Sequence, residues 1–532
     1  MLLTDDLFIH SQRCQRRAFL EVYGDQHKKQ PQSDYLSKIL QDSGLYRNQV
    51  LRRYNAVRPQ PLSGTAAATE QEAMAEATAA LMQQGVEAIA YGYLLRTDPS
   101  GLTYLSRPDL LLRCPGPSRF GSWCYLPVVV KLGRRVKLDY QLLALFHAFV
   151  LADFQSLWPP RTGLILQGTP KHSPPHQPYW VSFRDRLPAF QESLLAFQQS
   201  LVDRQEPEVF IARNRCSLCL WLDHCTAVAQ TSQHLSLLPG ITPKRYEILK
   251  TLGIQTLEAL AHTSPRVLQP LPGFGALVTH QLLQQARSTL HQTPLLHTPP
   301  DYLLPLTDPV EFYFDIESQP DLNLIYLHGV LMVQGTQKQF YAFLAESPAD
   351  EQQAWTQFLA LVTAHPQAPI YHFCPYEVDC IRRLGKEFHT PPATIDPLVR
   401  RCVDLHAWVT KTVTLPVESY ALKSVARWLG FQWRQEDVNG AQAICWYNQW
   451  LQTGDRSFLE QILIYNEDDC QATHHLKTWL AQFLQEHQQP EHPQDNYPEA
   501  EYPPVDSPLD YALGTGSPNP NDRPLEPQFS RG

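Results

Sequence analysis

Hydrophobic positions follow two different periods in the first part of the chain, and each period predicts one kind of element. Helical spacing predicts three helices, and apolar β-rich runs predict two strands between them. The predicted helices cover 11–24, 70–85 and 139–154, and the predicted strands cover 102–114 and 122–133. We expect Ser11 to cap the first helix and Gly85 to end the second. Together these elements predict a mixed α/β domain over residues 1–230.

Two Pro-Gly turns, each followed by an apolar residue and a helical pattern, occupy the next part of the chain. They lie in "LLPGITPKRYEILKTLGIQTLEALA", residues 237–261, and in "LQPLPGFGALVTHQLLQQA", residues 268–286. They resemble helix-hairpin-helix modules, whose hairpins direct backbone N–H groups at a phosphate. Such turns also join helices in proteins that bind no nucleic acid. The pattern therefore predicts a small helical domain at 231–298 and leaves its binding role open.

Three strand-like runs with short connections begin the following part of the chain. These runs are 311–318, 324–333 and 338–345. A helical pattern at 351–364, a short strand at 369–373 and several helices follow. Antiparallel strands followed by alternating elements predict an α/β sheet of the ribonuclease H type over residues 299–485.

The last segment, residues 486–532, differs from the rest in composition. It contains ten prolines, and its nine acids against two bases contribute −7 to the chain's net charge of −9. We expect this Pro-rich acidic tail to be disordered. The net charge of about −2 that remains for residues 1–485 neither supports nor excludes a nucleic acid as partner.

The distribution of apolar residues predicts no membrane span, because no run of eighteen of them occurs. The start "MLLTDDLFIH" has acids where a secretory signal peptide has bases. We therefore expect a cytoplasmic protein with no membrane partner. Because structural disulfides are rare in that compartment, the eleven cysteines are expected as metal ligands or buried thiols.

Three of the cysteines form a compact C-x2-C-x5-C pattern at Cys216, Cys219 and Cys225. Structural zinc and iron–sulphur sites usually take four ligands, so one ligand must come from elsewhere. The candidates for it are Cys14, Cys114, Cys124 and the cysteines after residue 299. His224, next to Cys225, keeps zinc as an alternative, and free thiols are another.

One N-terminal cysteine with a distant C-x2-C-x5-C pattern resembles the iron–sulphur site of RecB/AddB-type nucleases, which CRISPR-associated and Dna2-like nucleases share. The resemblance implies that one [4Fe–4S] cluster joins the two ends of the first domain. The implied ligands are Cys14, Cys216, Cys219 and Cys225.

A second pattern lies between the N-terminal cysteine and the other three. Nucleases of the PD-(D/E)xK type hold Mg²⁺ with two carboxylates and place a lysine near the attacking water. Asp109, Lys131 and Gln141 match this pattern and are the candidate residues of a first catalytic centre. Val129 occupies the position of the second carboxylate, so this centre is expected to bind Mg²⁺ poorly. Glu87 is an alternative source of the second acid. In the alternative interpretation, Asp109 only ends a strand, Lys131 is an ordinary solvated lysine, and neither has a catalytic role.

Five further residues form a candidate second centre. Asp315 and Glu317 are two residues apart on a predicted strand, so their side chains lie on the same face. Two neighbouring carboxylates in an otherwise apolar strand repel each other unless cations neutralise them. Tyr465 and Asp469, in "YNEDDC", share one face of a helix. With Glu377, in "YHFCPYEVD", the set resembles the tyrosine branch of the DEDD exonucleases, although that family usually has Asp at the position of Glu377.

The combination is similar to RecB-like nucleases that carry a YprB-type ribonuclease H-like domain, and the similarity covers the chain except for its acidic tail. It implies hydrolysis of DNA or RNA, single-stranded or with free ends, from the 3′ end with two Mg²⁺ or Mn²⁺ ions. The implied metal ligands are Asp315, Glu317, Glu377 and Asp469, with Tyr465 orienting the attacking water. The spare acids Asp404 and Asp468 are expected to be structural or to support the metal ligands without binding the ions.

The predicted fold class is therefore α/β multidomain. Its parts are a restriction-endonuclease-like α/β domain, a small helical helix-hairpin-helix-like domain, a ribonuclease H-like α/β domain and a disordered acidic tail. A nucleic-acid-binding protein with two degenerate nuclease centres is the main alternative, and Val129 favours it. A redox role for the cysteines is a third alternative, although no flavin or nicotinamide fingerprint occurs. The sequence identifies no protein partner.

Overall fold

The structure analysed is a computed structural model, which describes residues 1–61, 68–168, 176–297, 309–436 and 438–487. It divides into two compact units. The first consists of Met1–Val209 and Arg215–Val228, and the second of Phe210–Asn214 and the residues from Ala229 onward. The predicted mixed α/β multidomain architecture is confirmed. The finer domain boundaries stay predictions, and the predicted disordered tail lies outside the described residues from 488 onward.

The first unit contains a five-stranded sheet and a three-stranded sheet with helices around them. Its elements are β1 (Leu2–Thr4), α1 (Asp5–Arg13), α2 (Gln15–Tyr23), α3 (Asp34–Arg53), α4 (Glu70–Gln83), β2 (Ala88–Ala90), β3 (Leu94–Thr97), β4 (Thr103–Ser106), β5 (Leu110–Ser118), β6 (Gly121–Lys131), α5 (Leu138–Phe154), β7 (Thr162–Leu166), β8 (Tyr179–Val181), α6 (Phe183–Val202), α7 (Arg213–Cys216) and α8 (Leu222–Thr231). The strand orders are β2-β5-β6-β7-β8 and β1-β4-β3. In the larger sheet β6 and β7 are parallel, and the other neighbours are antiparallel.

Most elements predicted for this unit are present, but the helix predicted at 11–24 is wrong in its boundaries. Two helices, α1 and α2, occupy this region, and the extended residue Cys14 separates them. Thr4 caps α1 through its hydroxyl, whereas Ser11 lies inside the helix and donates to the carbonyl of Phe8 at 2.7 Å. No Gly or Pro marks this break in the sequence.

The second unit contains a helical segment followed by a second five-stranded sheet. Its elements are α9 (Pro243–Thr251), α10 (Leu257–Ala261), α11 (Pro265–Leu268), α12 (Gly275–His291), β9 (Leu295–Leu296), β10 (Val310–Gln319), β11 (Leu324–Gln334), β12 (Gln337–Leu344), α13 (Glu351–Ala364), β13 (Ile370–His372), α14 (Tyr376–Glu387), α15 (Pro392–Arg400), β14 (Cys402–Asp404), α16 (Leu405–Thr412), β15 (Val413–Thr414), α17 (Leu422–Trp428), α18 (Gly440–Thr453) and α19 (Ser457–Glu486).

The sheet of this unit has the strand order β12-β11-β10-β13-β14. The pairs β12–β11 and β11–β10 are antiparallel, and β13 and β14 then add in parallel to β10. This is the arrangement expected of three hairpin-connected strands followed by alternating helices and strands. The central strand β10 therefore has neighbours on both sides.

The two faces of β10 differ in character because its side chains alternate. Phe312, Phe314 and Ile316 belong to an apolar cluster with α13, α14 and α15. The opposite face presents Glu311, Tyr313, Asp315 and Glu317, and α19 packs against β10. The period of two in the sequence thus places acids on one side and core residues on the other.

The helical segment contains both predicted Pro-Gly turns. Gly240 and Gly273 have φ values of +85° and +81°, which L side chains rarely adopt. Arg245 donates to the carbonyls of both glycines, at 2.7 Å and 2.8 Å, and so links the two turns. β9 pairs with β15, which joins this segment to the sheet region within the same unit.

A search of the described residues for membrane-spanning segments finds no helix with the required length and apolar character.

Candidate active site

Three carboxylates from two elements converge beside the central sheet of the second unit. Asp315 and Glu317 come from β10, and Asp469 comes from α19. Ligand oxygens of the three lie within 4.8 Å of one another. Glu317 is buried, and the other two are half-buried, so the group remains reachable from solvent. Within the described ranges, no other set of three or more Asp, Glu, His or Cys side chains meets this distance.

Removal from water and mutual repulsion make this arrangement unfavourable for three charged carboxylates. The pKa of Asp315 is raised well above its usual value, first by burial and then by the charges of Asp469 and Glu317. The pKa of Glu317 is raised by burial and by Asp469. Burial raises the pKa of Asp469 to about 6. A bound divalent cation would reverse this penalty, because carboxylate oxygens are the ligands that Mg²⁺ and Mn²⁺ prefer. The donor set therefore fits such an ion.

An asparagine on α19 holds the first carboxylate in place. The Asn466 amide donates to Oδ2 of Asp315 at 2.7 Å. Gly329, which lies opposite Asp315 on β11, leaves the space for this side chain. A Cβ atom at Gly329 would lie 1.6 Å from Oδ1 of Asn466, so a larger residue would displace the asparagine. The glycine is thus required by a close approach and not by its backbone angles.

A loop after α17 fixes the position of the third carboxylate. The Trp433 indole N–H donates to Oδ1 of Asp469 at 2.7 Å. The next residue, Arg434, pairs with Asp468 at 2.7 Å, so two neighbouring loop residues hold two neighbouring acids of α19. Tyr465, one turn before Asp469, donates its hydroxyl to the same carboxylate. Asp468 therefore has the structural role predicted for it.

A buried ion pair sets the register between α19 and β10. Lys477 lies two turns beyond Asp469, and its Nζ is 2.6 Å from Oε1 of Glu311. The Tyr313 hydroxyl donates to the other oxygen of Glu311 at 2.5 Å. Removing one partner of such a pair would leave an uncompensated buried charge, so the contact restricts sliding of the helix along the strand.

The fourth predicted acid, Glu377, lies in the first turn of α14 and outside the group of three. It is buried, and its charge contributes to the raised pKa of Asp315, so it lies near that residue. Its Oε2 has no hydrogen-bond partner, although Nδ1 of His372 is 3.4 Å away. A buried carboxylate oxygen without a donor fits a cation-binding role.

The loop before Glu377 is held by the spare acid Asp404. Its Oδ1 accepts the backbone N–H of Cys374 at 3.0 Å and also caps α16. Cys374 has a φ of +80°, an unusual value for a residue other than glycine. Asp404 thus has the structural role predicted for it, because it supports the turn that leads to Glu377.

The predicted residues of the first centre have other partners. Oδ1 of Asp109 lies 3.0 Å from Nε of Arg47, and its Oδ2 accepts the backbone N–H of Val130 at 2.7 Å. Gln141 accepts a hydrogen bond from Arg186 at 2.9 Å. A guanidinium therefore neutralises Asp109, the one acid of the predicted set. These contacts do not fit a Mg²⁺ site.

The position of the missing acid is apolar. Val129 is fully buried in a cluster with Ile9, Ala144 and Leu164. The alternative acid Glu87 is 85% exposed at its side chain and pairs with Arg113 at 2.6 Å. Glu87 therefore does not supply the second carboxylate that the nuclease pattern requires at the position of Val129.

Because Arg47 neutralises Asp109 and Val129 supplies no second carboxylate, we predict that Lys131→Ala leaves nuclease activity within about twofold of the unchanged protein. The measurement is the rate of Mn²⁺-dependent cleavage of labelled DNA and RNA, with circular dichroism to show that the fold is intact. A loss of cleavage by orders of magnitude in the folded variant would show that the first centre works without the second acid.

The four predicted cluster cysteines all lie in the first unit. Cys14 occupies the break between α1 and α2, and Cys225 lies on α8. Burial raises the pKa of Cys225 to about 11, and the thiols of Cys14 and Cys219 act in the same direction, so these three lie near one another. Trp221 donates to Glu21 of α2 at 3.2 Å, which ties the C-x2-C-x5-C segment to the helix after Cys14.

The other ligand candidates of this unit are paired elsewhere. Cys114 and Cys124 are opposite each other on β5 and β6, and their sulphurs are 2.9 Å apart. Four thiolates on one zinc ion would lie within about 4 Å of one another, because Zn–S bonds are about 2.3 Å. The set with Cys14 does not form such a compact group.

The sequence prediction did not include Asn466, Trp433 or Arg47. Asn466 adjoins Tyr465 in "YNEDDC", and its position one turn before Cys470 on the strand-facing side of α19 was the available signal. Trp433 and Arg47 carry no local signal, because their partners are 36 and 62 positions away in the chain.

Comparison with known proteins supports one part of this description. A family model described as RNase_H_2, of the RNase_H superfamily, matches residues 312–481. The match includes the part of β10 that contains Asp315 and Glu317 and the part of α19 that contains Asp469. The second unit therefore contains a ribonuclease H-like domain, which indicates a nuclease-type hydrolase with a nucleic-acid substrate. No curated protein matches the chain.

Proposed function

We propose that the protein is a metal-dependent nuclease that hydrolyses phosphodiester bonds of DNA or RNA at the carboxylate group of its second unit. The observation that carries this proposal is the convergence of Asp315, Glu317 and Asp469 within 4.8 Å inside a ribonuclease H-like domain. Carboxylates with raised pKa values at one accessible place are typical of a functional site.

The chain's own residues would hold the ions and position the reactants. Bound in pairs, Mg²⁺ or Mn²⁺ ions supply an activated water and stabilise the charge of the leaving oxygen. Asp315 would be one of their ligands, since the charges of Asp469, Glu317 and Glu377 all act on it. Glu317, Asp469 and the unpartnered oxygen of Glu377 would complete the ligand set. Asn466 and Trp433 would restrict the rotation of Asp315 and Asp469.

Tyr465 would orient the attacking water. Its hydroxyl already contacts Asp469, so it lies at the edge of the carboxylate group. We propose that cleavage proceeds from the 3′ end as in a 3′–5′ exonuclease. This polarity rests on the similarity to the tyrosine branch of the DEDD exonucleases in the order and spacing of the acids.

We further propose that residues 1–230 form a RecB-like PD-(D/E)xK domain whose four cysteines hold a structural [4Fe–4S] cluster. Cys14, Cys219 and Cys225 lie near one another, and the other candidate thiols of this unit, Cys114 and Cys124, are paired. Residues 231–298 would then form the helix-hairpin-helix-like domain, and 299–485 the exonuclease domain.

The second candidate function is nucleic-acid binding without catalysis. The Arg47–Asp109 pair favours binding without catalysis in the first unit, because the guanidinium occupies the carboxylate that a catalytic metal ion would need. For the second unit, a role without catalysis would leave the three converging carboxylates of Asp315, Glu317 and Asp469 without a cation to offset their repulsion. We therefore apply it to the first centre alone.

The test is cleavage by the full chain, purified without oxygen, of single- and double-stranded DNA and RNA labelled at either end. We expect Mn²⁺-dependent cleavage that a chelator abolishes and that fresh Mn²⁺ restores, with 5′-labelled strands shortened stepwise. A well-folded protein that binds these substrates and cuts none of them would contradict the proposed function and establish the binding role.

A further inference from the structure

The end of α3 and the residues after it form a strongly basic part of the first unit. Between residues 43 and 69 the chain contains no Asp or Glu. The same stretch has four arginines: Arg47, Arg52, Arg53 and Arg58. Cations at a helix C-terminus interact favourably with the helix dipole, but this effect reaches only the last turn. It accounts for Arg52 and Arg53 and leaves Arg58, five residues beyond the helix, unexplained.

A cavity of about 600 Å³ opens at this place. Two of the four arginines, Arg52 and Arg58, line it together with Asn48 and Asn55. Among the described residues, neither arginine forms a salt bridge with an acid. The cavity therefore combines cationic and amide donors with an unneutralised charge, a composition suited to an anion.

Arg58 is held in position before any ligand arrives. Its Nη2 donates to Oδ1 of Asn48 at 3.0 Å, and its guanidinium lies 4.8 Å from the centre of the Tyr91 ring. The Tyr91 hydroxyl donates to the same oxygen of Asn48 at 3.4 Å. Tyr91 has a φ of +51°, a left-handed value that its surroundings must stabilise. Fixing a guanidinium in advance lowers the entropy cost of binding.

The same helix also supplies the ion-pair partner of Asp109. Arg47, one residue before Asn48, is paired with Asp109 and is not free to bind a ligand. Tyr91, beside the cavity, donates its backbone N–H to the carbonyl of Asp109 at 3.1 Å. The cavity is therefore close to Asp109, whose charge Arg47 neutralises. Both features favour a negatively charged ligand that binds without metal.

We propose that this cavity binds the phosphodiester backbone of a nucleic acid, with Arg52 and Arg58 contacting phosphates. The first unit would then hold the substrate and the second would cut it. The proposal rests on the nucleic-acid substrate of the proposed function but not on cleavage. Phosphate contacts by arginine release counterions, so their loss has a defined salt signature.

The test measures binding of labelled single-stranded DNA and RNA to the full chain carrying Asp315→Asn, which prevents cleavage. The variant is Arg52→Ala with Arg58→Ala. We expect several-fold weaker binding at low salt and a plot of log K against log salt that is less steep by about 1.4, or 0.7 for each lost contact. Replacing both arginines by lysine should preserve most of the slope.

The matched control is Arg53→Ala, which removes the same charge from the same helix end but does not line the cavity. We expect it to change neither the affinity nor the slope appreciably, and thermal unfolding should show all variants folded. If Arg53→Ala weakens binding as much as the double variant does, or if the double variant binds like its parent, the cavity is not the binding site. The same arginine substitutions are also made in the chain that keeps Asp315. The cleavage rates of those variants report separately on the proposed function.

Discussion

Replacing Asp315 by asparagine should reduce nuclease activity by about 10³-fold or more while leaving nucleic-acid binding nearly unchanged. The carboxylate is central to the group, since the charges of Asp469, Glu317 and Glu377 all act on it. Losing a ligand that holds a catalytic cation costs several kcal/mol of transition-state stabilisation, which is roughly 10³-fold in rate. The measurement is the initial rate of Mn²⁺-dependent cleavage, with affinity measured in parallel.

Two comparisons make this result specific. Tyr465→Phe should cost less, because it removes a hydroxyl and leaves every carboxylate in place. The double variant of Asp315→Asn with Asp469→Asn should be no worse than either single variant, since residues that act as a unit do not add. Unchanged cleavage in a folded Asp315→Asn protein would show that the activity resides elsewhere or is absent.

If the proposed [4Fe–4S] cluster is present, replacing Cys219 by serine should abolish it and strongly destabilise the first unit. Protein purified without oxygen should be brown and contain about four irons per chain, and the variant should be colourless. Because ligand binding and folding are coupled at such sites, we expect a loss of several kcal/mol in the free energy of unfolding. Iron analysis, absorption spectra and denaturant unfolding provide the measurements.

The control is Cys114→Ser in the same unit, which alters a thiol paired with Cys124 and should leave the iron content unchanged. The proposal of a cluster is contradicted by colourless wild-type protein that contains one tightly bound zinc ion. It is also contradicted if Cys114→Ser loses iron as completely as Cys219→Ser does.

The sheet of the second unit was predictable because its strands are distinguished by a period of two. In β10 the apolar residues Phe312 and Phe314 alternate with Asp315 and its neighbours, and the structure places these sets on opposite faces. The break at Cys14 was not predictable, because the helical pattern continues through it without a Gly or Pro. Ser11 was assigned as a cap for the same reason.

The acids of the candidate site were identifiable because each lies in a short local motif. Their supporting residues were not, because contacts such as Trp433 with Asp469 and Lys477 with Glu311 depend on tertiary structure. The sequence also predicted that the first centre binds Mg²⁺ poorly, because Val129 occupies the position of the second carboxylate. It gave no sign of Arg47, whose guanidinium neutralises the remaining acid from a helix 62 positions earlier in the chain.

The metal-binding role of Asp315, Glu317 and Asp469 is tested most directly by Mn²⁺ binding to the full chain, followed by the electron paramagnetic resonance signal of free Mn²⁺. This readout does not depend on activity. We expect the wild-type chain to bind two ions, Asp315→Asn to bind them much more weakly, and Lys131→Ala to bind them as the wild type does. Equal Mn²⁺ binding by the wild type and a folded Asp315→Asn protein would contradict the assignment of Asp315, Glu317 and Asp469 as the metal-holding group.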